Sequence, residues 1–213
     1  MSKKSEKLFG FSQDEYRFRN IILTPIDKLY SLFSDGFSET HAGWWKSGVI
    51  ENSLIVKCPV GRHSEDVLYF APQFDNMIFL GYCGSCNRTI GIGDIVCASS
   101  TEQSGKRITA NYDFIPYLNM KKGTFSSVST LHEQEDGEFL KSMQTNKIDC
   151  IDMESHYLFG IARQKNVNFG GLFIVSDNLV IKPFYMVDNK DIFAIKSASD
   201  SLREIVLKEI YRD

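Results

Sequence analysis

Two acidic residues occupy positions from which a carboxyl group could take part in catalysis. Glu154 lies at the predicted start of a helix, in Ile151-Asp-Met-Glu-Ser155, and Asp177 follows the apolar strand predicted at 171–175. A carboxylate accepts hydrogen bonds from hydroxyl groups, and a carboxylic acid donates a proton to a leaving group. Each residue also has a structural interpretation, because Glu is favourable in the first turn of a helix and Asp is common after a strand. Taken singly, the two residues leave both interpretations open.

A Cys-x-x-Cys sequence, Cys83-Gly-Ser-Cys86, raises redox and zinc chemistry as alternatives. A thioredoxin-like pair opens a helix, whereas residues 87–91 are typical of a loop, and a structural zinc site needs two further ligands at compact spacing. The other three cysteines are isolated along the chain. We therefore interpret 81–86 as a loop of small residues. We expect the cysteines to be reduced thiols and the protein to use neither a metal nor a cofactor.

Short apolar strands alternate with amphipathic helices, which predicts an α/β layered domain whose ligands gather beyond the strand ends. The last helix shows a capping-box spacing at Ser201 and Glu204, and most of 100–123 is predicted to be loop. The predicted strands are 20–24, 77–81, 95–98, 126–130, 148–151 and 171–175, with a hairpin over 49–59 that turns at Glu51-Asn52, and the predicted helices are 27–33, 61–70, 138–145, 153–165 and 200–211.

The composition is that of an ordinary globular protein. The chain has 213 residues, of which 43% are hydrophobic and 24% are charged, and its formal net charge is -3. A nearly neutral chain gives no support to the binding of nucleic acid or of an anionic membrane. The first residues are too polar for a signal peptide, and no apolar run approaches the roughly 18 residues of a membrane span. We expect a cytoplasmic protein with a polar extension over 1–19, which is loosely held or partly helical, and one domain over 20–213.

Three segments together resemble the nucleoside phosphorylase/nucleosidase superfamily. Leu80-Gly-Tyr-Cys-Gly-Ser-Cys86, followed by Ile92-Gly-Asp-Ile-Val96, is similar to its glycine loop and the strand after it. Ile151-Asp-Met-Glu-Ser155 resembles the superfamily's helix start, and Leu172-Phe-Ile-Val-Ser-Asp-Asn178 resembles its strand end. The resemblance implies a three-layer α/β/α sandwich with a mixed, partly barrel-like central sheet. It also implies a homodimer or a homohexamer.

The superfamily cleaves the N-glycosidic bond of nucleosides, with water or phosphate as the acceptor. The resemblance implies that Met153 and Glu154 hold the ribose and that Asp177, as an acid, faces N7 of a purine, where electron density gathers as the base departs. An aspartic acid with an ordinary pKa of about 3.9 is ionised at neutral pH, so this role needs burial or a neighbouring negative charge. The other residues that the resemblance places at the ribose or the base are Tyr82, Cys83, Gly84, Leu131 or His132, and Ser176.

The residues that bind phosphate in the superfamily are missing from their usual positions. Phe79 and Tyr82 stand where hexameric phosphorylases carry an Arg and a Ser, and Thr24-Pro-Ile-Asp27 stands in place of a glycine-rich phosphate motif. Arg62 and Arg88 are alternative phosphate ligands, although a surface position explains each of them equally well. These losses favour hydrolysis over phosphorolysis.

Three functions stay open on this basis. The first is hydrolysis of a purine nucleoside or nucleotide, for which Asp27, after the first predicted strand, is the candidate that activates water. The second is a phosphate-dependent purine nucleoside phosphorylase with an atypical phosphate site. The third is a non-catalytic relative that binds nucleosides, because the bulky Tyr82 could fill part of the pocket. The presence of both Glu154 and Asp177 argues against the third, since binding alone does not require an acid at N7.

Overall fold

Strands and helices of the described residues alternate along the chain around one mixed sheet. The computed structural model describes residues 2–12, 16–114, 120–130 and 137–212. The strands are β1 Arg17–Thr24, β2 Glu39–Ala42, β3 Lys46–Ile50, β4 Ser53–Lys57, β5 Gln73–Ser85, β6 Ile95–Gln103, β7 Lys106–Thr109, β8 Lys121–Ser127, β9 Cys150–Asp152 and β10 Asn168–Asn178. The helices are α1 Ser2–Phe9, α2 Asp27–Ser31, α3 Glu65–Phe70, α4 Gly137–Thr145, α5 Ser155–Gln164 and α6 Asn189–Ile210.

Part of the sheet closes on itself. Strand β5 pairs in parallel with β1 and β10 and antiparallel with β9, and β8 pairs in parallel with β6 and β9. Because β10 also pairs with β6, the strands β5, β10, β6, β8 and β9 form a closed ring, and β1, β4, β3 and β2 extend the sheet from β5 in that order. The predicted α/β fold with a mixed sheet is thus confirmed. The three-layer sandwich is not confirmed, since a closed ring of strands is a barrel and not a flat middle layer.

Helices pack on both faces of the sheet because alternate residues of a strand point to opposite faces. In β10, Phe173 belongs to the core that also contains Phe159 of α5. Its neighbour Leu172 belongs to a second core that contains Leu202 of α6. Since β10 is buried on both faces, packing holds its carboxyl end in a fixed position.

Strand β5 is longer than the sequence predicts. It continues through 81–86, the segment interpreted as a loop of small residues, as far as Ser85. The small residues of this segment allow neighbouring side chains to pack closely against the strand, and they do not form a turn. A Cβ atom at Gly81 would lie 2.9 Å from the ring of Phe79 and 3.1 Å from that of Phe173.

The predicted loop over 100–123 is wrong for much of its length. It contains the end of β6, all of β7 and the first residues of β8, and the strand predicted at 126–130 begins earlier and ends at Ser127. The end of β6, β7 and the start of β8 are polar and contain no apolar run. Their pairing with distant segments, such as that of β8 with β9, decides their conformation.

The last helix begins eleven residues before its predicted start at 200. Its N-cap is Asp188, whose side chain accepts hydrogen bonds from the backbone N–H groups of Lys190 and Asp191, while the Asp191 side chain accepts one from the N–H of Asp188. The capping box lies there and not at Ser201 and Glu204, which are inside the helix. No helix of the described residues, α6 included, is long and apolar enough to cross a membrane.

The segment predicted as a loosely held or partly helical extension contains a helix and contributes to the core. Residues Ser2–Phe9 form α1, and Phe9 is fully buried. The ring of Phe9 lies edge-on to that of Trp45, with 5.2 Å between the ring centroids, and Phe11 is buried beside it. These two aromatic side chains anchor this part of the chain to the sheet.

Candidate active site

The ends of β5, β9 and β10 and the start of α5 border a cavity of about 350 Å³. Its wall contains three buried acidic residues, Asp152, Glu154 and Asp177. Acidic residues are seldom fully buried, and those with perturbed pKa values in a cleft are candidates for function. The cavity is lined by Pro25, Ile26, Val60, Tyr82, Cys83, Gly84, Ile151, Asp152, Met153, Glu154, Ser176, Asp177 and Phe184.

Asp177 lies at an irregularity near the end of β10. The register with β5 shifts between Val175 and Asp177, and Asp177 pairs with Gly84. Its Oδ1 accepts a hydrogen bond from Ser176 Oγ at 2.8 Å, whereas its buried Oδ2 has no hydrogen-bond partner among the described residues. Burial raises the pKa of the Asp177 carboxyl group, and the hydrogen bond from Ser176 opposes that shift. The strand end thus presents a carboxyl group that keeps its proton to a higher pH than an exposed aspartic acid does.

The approach of β5 to this carboxyl group requires glycine at position 84. A Cβ atom on Gly84 would lie 2.7 Å from Leu179 Cδ1 and 3.4 Å from Asp177 Oδ2. The first distance is shorter than any ordinary contact, so a larger residue would displace Leu179 or press on the carboxyl group. Gly84 therefore sets the space around Asp177.

Glu154 is the N-cap residue of α5, and only 5% of it is exposed. Its Oε1 accepts a hydrogen bond from the backbone N–H of Gly61 at 2.7 Å. Gly61 has a φ of 70°, a left-handed conformation that favours glycine, at the start of the turn before α3. Burial, and then the negative charge of Asp152, raises the pKa of Glu154 to about 7. Both the acceptor form and the acid form of Glu154 are therefore populated near neutral pH.

Although Glu154 occupies the N-cap position, the side chain of Asp152 makes the hydrogen bonds that cap the start of α5. Its Oδ2 accepts hydrogen bonds from the backbone N–H groups of Glu154 at 3.1 Å and Ser155 at 2.6 Å. Its Oδ1 accepts from the hydroxyl groups of Ser127 and Ser155, both at 2.8 Å. The Glu154 side chain makes no capping hydrogen bond with the described part of α5, so the helix start does not depend on Glu154 for a backbone partner. Its carboxyl group is left for the cavity.

Tyr82 borders the cavity without closing it. Burial raises the pKa of its hydroxyl group, and the nearby side chain of Ser199 in α6 opposes that shift. The other sequence-predicted residues that the structure brings to the cavity with Glu154 and Asp177 are Cys83, Gly84, Met153 and Ser176.

Asp27, the predicted water-activating residue, is not brought to the cavity. It is the first residue of α2, its side chain is 74% exposed, and its Oδ2 lies 3.5 Å from Lys57 Nζ. Its neighbours Pro25 and Ile26 line the cavity instead. The chain turns into α2 immediately after them, which carries Asp27 out to the surface.

The predicted phosphate ligands also lie away from the cavity wall. The Arg62 side chain is 74% exposed and its Nε donates to Glu65 Oε1 at 3.2 Å, an ordinary surface pair one turn apart. Arg88 is exposed in the turn after β5. Leu131 and His132, which the sequence places against the base, lie outside the described residues.

Several residues that shape the cavity are not among those that the sequence predicts. Asp152 belongs to Ile151-Asp-Met-Glu-Ser155, one of the segments that resemble the superfamily. The sequence does not predict that its side chain caps α5. Val60 and Phe184 come from segments in which no motif or periodicity marks them. Only the folded chain shows that these segments meet at the site.

The Cys-x-x-Cys pair is part of the wall and the core. All five cysteines are free and buried, and burial raises the pKa of Cys86 to about 12. Burial, and then the neighbouring Cys150 of β9, raises the pKa of the Cys83 thiol well above its usual value. Thiols of this kind stay protonated and unreactive at neutral pH. Among the described residues, no group of three His, Cys, Asp or Glu side chains is placed to hold a metal ion.

Comparisons with known proteins match this chain through structure alone. No family model matches the chain, and no curated protein sequence matches it. The MTA/SAH nucleosidase of Streptococcus pneumoniae, solved in complex with 8-aminoadenine, superposes with a TM-score of 0.71 and 16% identity over 89% of this chain and 99% of its own. This chain has the same fold.

Two proteins of Helicobacter pylori give the same result. The nucleosidase MTAN matches with a TM-score of 0.69 and 16% identity over 90% of this chain and 97% of its own. A mutant of futalosine hydrolase matches with a TM-score of 0.69 and 16% identity over 91% of this chain and 98% of its own. The resemblance to the nucleosidases is thereby confirmed at the level of the fold, which is what a likeness at this identity shows.

Proposed function

We propose that this protein hydrolyses the N-glycosidic bond of a purine nucleoside. The observation that carries the proposal is one cavity whose wall contains the buried carboxyl groups of Asp177 and Glu154, which differ in the hydrogen bonds that they make. Asp177 keeps one oxygen without a partner among the described residues, and Glu154 is held by a backbone N–H group. The fold shared with the MTA/SAH nucleosidases and the three resembling sequence segments add support.

Asp177 is the acid in this proposal. Cleavage breaks the bond between C1′ of the ribose and the purine nitrogen, and the bonding electrons move onto the base. Asp177 donates its proton to N7 of the departing base. A water molecule then adds to the cationic C1′ and loses a proton, which returns to Asp177. The burial that raises the pKa of Asp177 favours the protonated form that this step requires. General acid catalysis of this kind contributes roughly 10²–10⁴-fold to a rate.

Glu154 and Met153 hold the ribose. An ionised carboxylate accepts hydrogen bonds from two hydroxyl groups, which is what neighbouring ribose hydroxyls offer. The N–H of Gly61 fixes one oxygen of Glu154, so the carboxyl group is oriented before the sugar arrives. Orientation of this kind lowers the entropy lost on binding.

Water suits this cavity better than phosphate does. Among the described residues of the wall there are three carboxyl groups and neither a Lys nor an Arg. A phosphate dianion beside ionised carboxylates is repelled, and no cation in that part of the wall offsets the repulsion. The same argument favours a nucleoside over a nucleotide. The position of Asp27 gives no support to its predicted role, so the proposal does not depend on it.

Self-association into a homodimer is part of the proposal. The segment after β10 exposes a series of large apolar side chains, and exposed apolar patches of this kind mark interfaces. One of them, Phe184, also lines the cavity, so a second copy packed on this segment would border the site. The exposed side chains are Ile181, Phe184, Tyr185, Met186, Ile192 and Phe193.

Base release tests the proposed reaction. The purified protein is incubated with adenosine, inosine, guanosine, methylthioadenosine or AMP, with and without phosphate, and free base is measured by chromatography. We expect base release without phosphate, more from a nucleoside than from AMP, and its loss in Asp177→Asn. Asp75→Asn is a matched control, because Asp75 is half-exposed and pairs with Arg17 on the surface.

The alternatives give different results in the same assay. Base release that depends on phosphate makes the protein a phosphorylase with an atypical phosphate site. Release of no base, together with a rise in melting temperature on addition of a nucleoside, makes it a non-catalytic binding protein. Either result contradicts the hydrolase proposal.

A further inference from the structure

Asp152 lies in the cavity wall, yet the proposed chemistry assigns it no part. Four hydrogen bonds converge on its carboxyl group, from the backbone N–H groups of Glu154 and Ser155 and from the hydroxyl groups of Ser127 and Ser155. Every one of these groups donates. Burial raises the pKa of Asp152, whereas four donors favour its ionised form. A buried carboxylate with this many donors is fixed in both position and orientation.

Ser127 connects this carboxylate to the sheet. It pairs with Asp152 in the parallel register of β8 and β9, and its hydroxyl donates to Asp152 Oδ1. The same hydroxyl oxygen accepts a hydrogen bond from the backbone N–H of His156 at 2.9 Å. The ends of two strands and the first turn of α5 are therefore joined through one serine and one aspartate.

We propose that Asp152 is a positioning residue for Glu154, because it caps α5 in place of the Glu154 side chain and so directs that side chain to the ribose. The inference rests on the proposed function, in which Glu154 binds the sugar. Asp152 itself does not touch the substrate in this scheme. Its Oδ2 accepts a hydrogen bond from the backbone N–H of Glu154, and its charge lies beside the Glu154 carboxyl group. Asp152 acts on Glu154 through these two interactions.

The charge of Asp152 affects the pKa of Glu154, a quantity that a purely structural cap would leave unchanged. Burial, and then the negative charge of Asp152, raises the pKa of Glu154. From the other elements around the cavity, Asp177 of β10 and Cys83 of β5 line the same wall. The pKa of Cys58, the residue directly after β4, is raised by burial and then by the charge of Glu154. Burial keeps both of these thiols in their neutral form. Removal of the Asp152 charge should therefore lower the pKa of Glu154.

The test compares two substitutions that separate charge from shape. Asp152→Asn removes the charge and nearly preserves the shape of the side chain. Asp152→Glu keeps the charge on a side chain that is longer by one methylene group. Glu154 is titrated by carboxyl ¹³C NMR in the whole protein and assigned with Glu154→Gln. We expect a midpoint near 7 in the native protein, a midpoint shifted toward the ordinary value of 4.5 in Asp152→Asn, and a midpoint close to the native one in Asp152→Glu.

Kinetics complete the test. In Asp152→Asn we expect KM for the nucleoside to rise roughly 10- to 10²-fold, because the ribose-binding group is misplaced, and the acidic limb of the pH profile to move to lower pH. An unchanged Glu154 midpoint in folded Asp152→Asn overturns the inference. Equal losses in the Asn and Glu variants with an unmoved acidic limb overturn it as well.

A second variant keeps the inference testable if Asp152→Asn fails to fold. Ser127→Ala removes one donor to Asp152 and leaves three, so we expect an unchanged Glu154 midpoint and a KM raised severalfold. The matched control is Ser100→Ala, whose hydroxyl contacts Thr124 on the neighbouring strand and not Asp152. A native KM in Ser127→Ala overturns the inference. If the native protein releases no base, the proposed function fails, whereas the NMR titration still decides whether Asp152 controls Glu154.

Discussion

Polar side chains lie toward both ends of the central strands, but the two ends satisfy them differently. Toward the amino ends, side-chain amides form a ladder across four strands. Asn20 Nδ2 donates to Ser53 Oγ at 2.9 Å, Asn76 Nδ2 donates to Asn20 Oδ1 at 3.0 Å, and Asn168 Nδ2 donates to Asn76 Oδ1 at 2.9 Å. At the carboxyl end of β10, the buried Oδ2 of Asp177 has no partner in the part of the chain that the structure describes.

The difference separates groups that hold the fold from groups that are left for chemistry. A polar group whose hydrogen bonds are all made contributes to stability, and removal of its partner destabilises the protein. A buried carboxyl group with an unpartnered oxygen is unfavourable for stability, and such groups cluster at functional sites. Substitutions in the amide ladder should therefore act on stability, and substitutions at the carboxyl ends should act on activity.

The largest expected effect is that of Asp177→Asn. We expect kcat to fall roughly 10²–10⁴-fold, because an amide cannot deliver the proton to N7. We expect the unfolding free energy to stay the same or to rise, because the amide carries no charge to bury. Base release and chemical denaturation measure the two quantities. A loss of both activity and stability in Asp177→Asn would contradict the prediction that this end of the strands acts on activity and the amide ladder on stability.

Gly84→Ala should have the next largest effect. The added Cβ would lie 2.7 Å from Leu179 Cδ1 and 3.4 Å from Asp177 Oδ2, so the strand end must shift. We expect kcat/KM to fall roughly 10- to 10²-fold through misplacement of the acid. Gly137→Ala is the control, because a Cβ atom there would meet none of the described residues within 4 Å and the backbone is outside the left-handed region. Native activity in Gly84→Ala would contradict the close approach that we describe.

Asn76→Ala tests the other end of the strands. It leaves the buried Oδ1 of Asn20 and the Nδ2 of Asn168 without their partner, which we expect to lower the unfolding free energy by about 1–3 kcal/mol. We expect kcat/KM to stay within twofold of the native value. Asn168→Ala, at the exposed end of the ladder, should have a smaller effect on stability. A large loss of activity in folded Asn76→Ala would show that this ladder positions the site.

The smallest expected effect is on the pH dependence of stability. The pKa of Glu154 is raised from 4.5 to about 7 in the folded protein, so the folded state binds more protons than the unfolded state between those values. The contribution of Glu154 to stability is therefore fully present below pH 4.5 and is lost as the pH rises through 7. We expect Glu154→Gln to flatten that part of the stability curve, measured by denaturation at several pH values. An unchanged slope would show that Glu154 ionises normally.

Prediction from the sequence succeeded where local pattern and final structure coincide. The hairpin turn at Glu51-Asn52 was predicted from a break between two apolar runs, and Glu51 has a φ of 50° in that turn. The apolar strand before Asp177 was predicted for the same reason. The strands over 100–123 were not, because their polar residues carry no such pattern and pair with distant segments.

The sequence by itself determined the mixed α/β class, the strand that leads to Asp177, the helix start that carries Glu154, and the likeness to the nucleosidase fold. These features follow from periodicity and from short segments with a characteristic order. Only the tertiary structure decided that the sheet closes into a ring, that Asp152 caps α5 in place of Glu154, and that Asp27 lies at the surface. The physical reason is that strand pairing, burial and carboxyl hydrogen bonds depend on residues that are far apart in the chain and meet only when it folds.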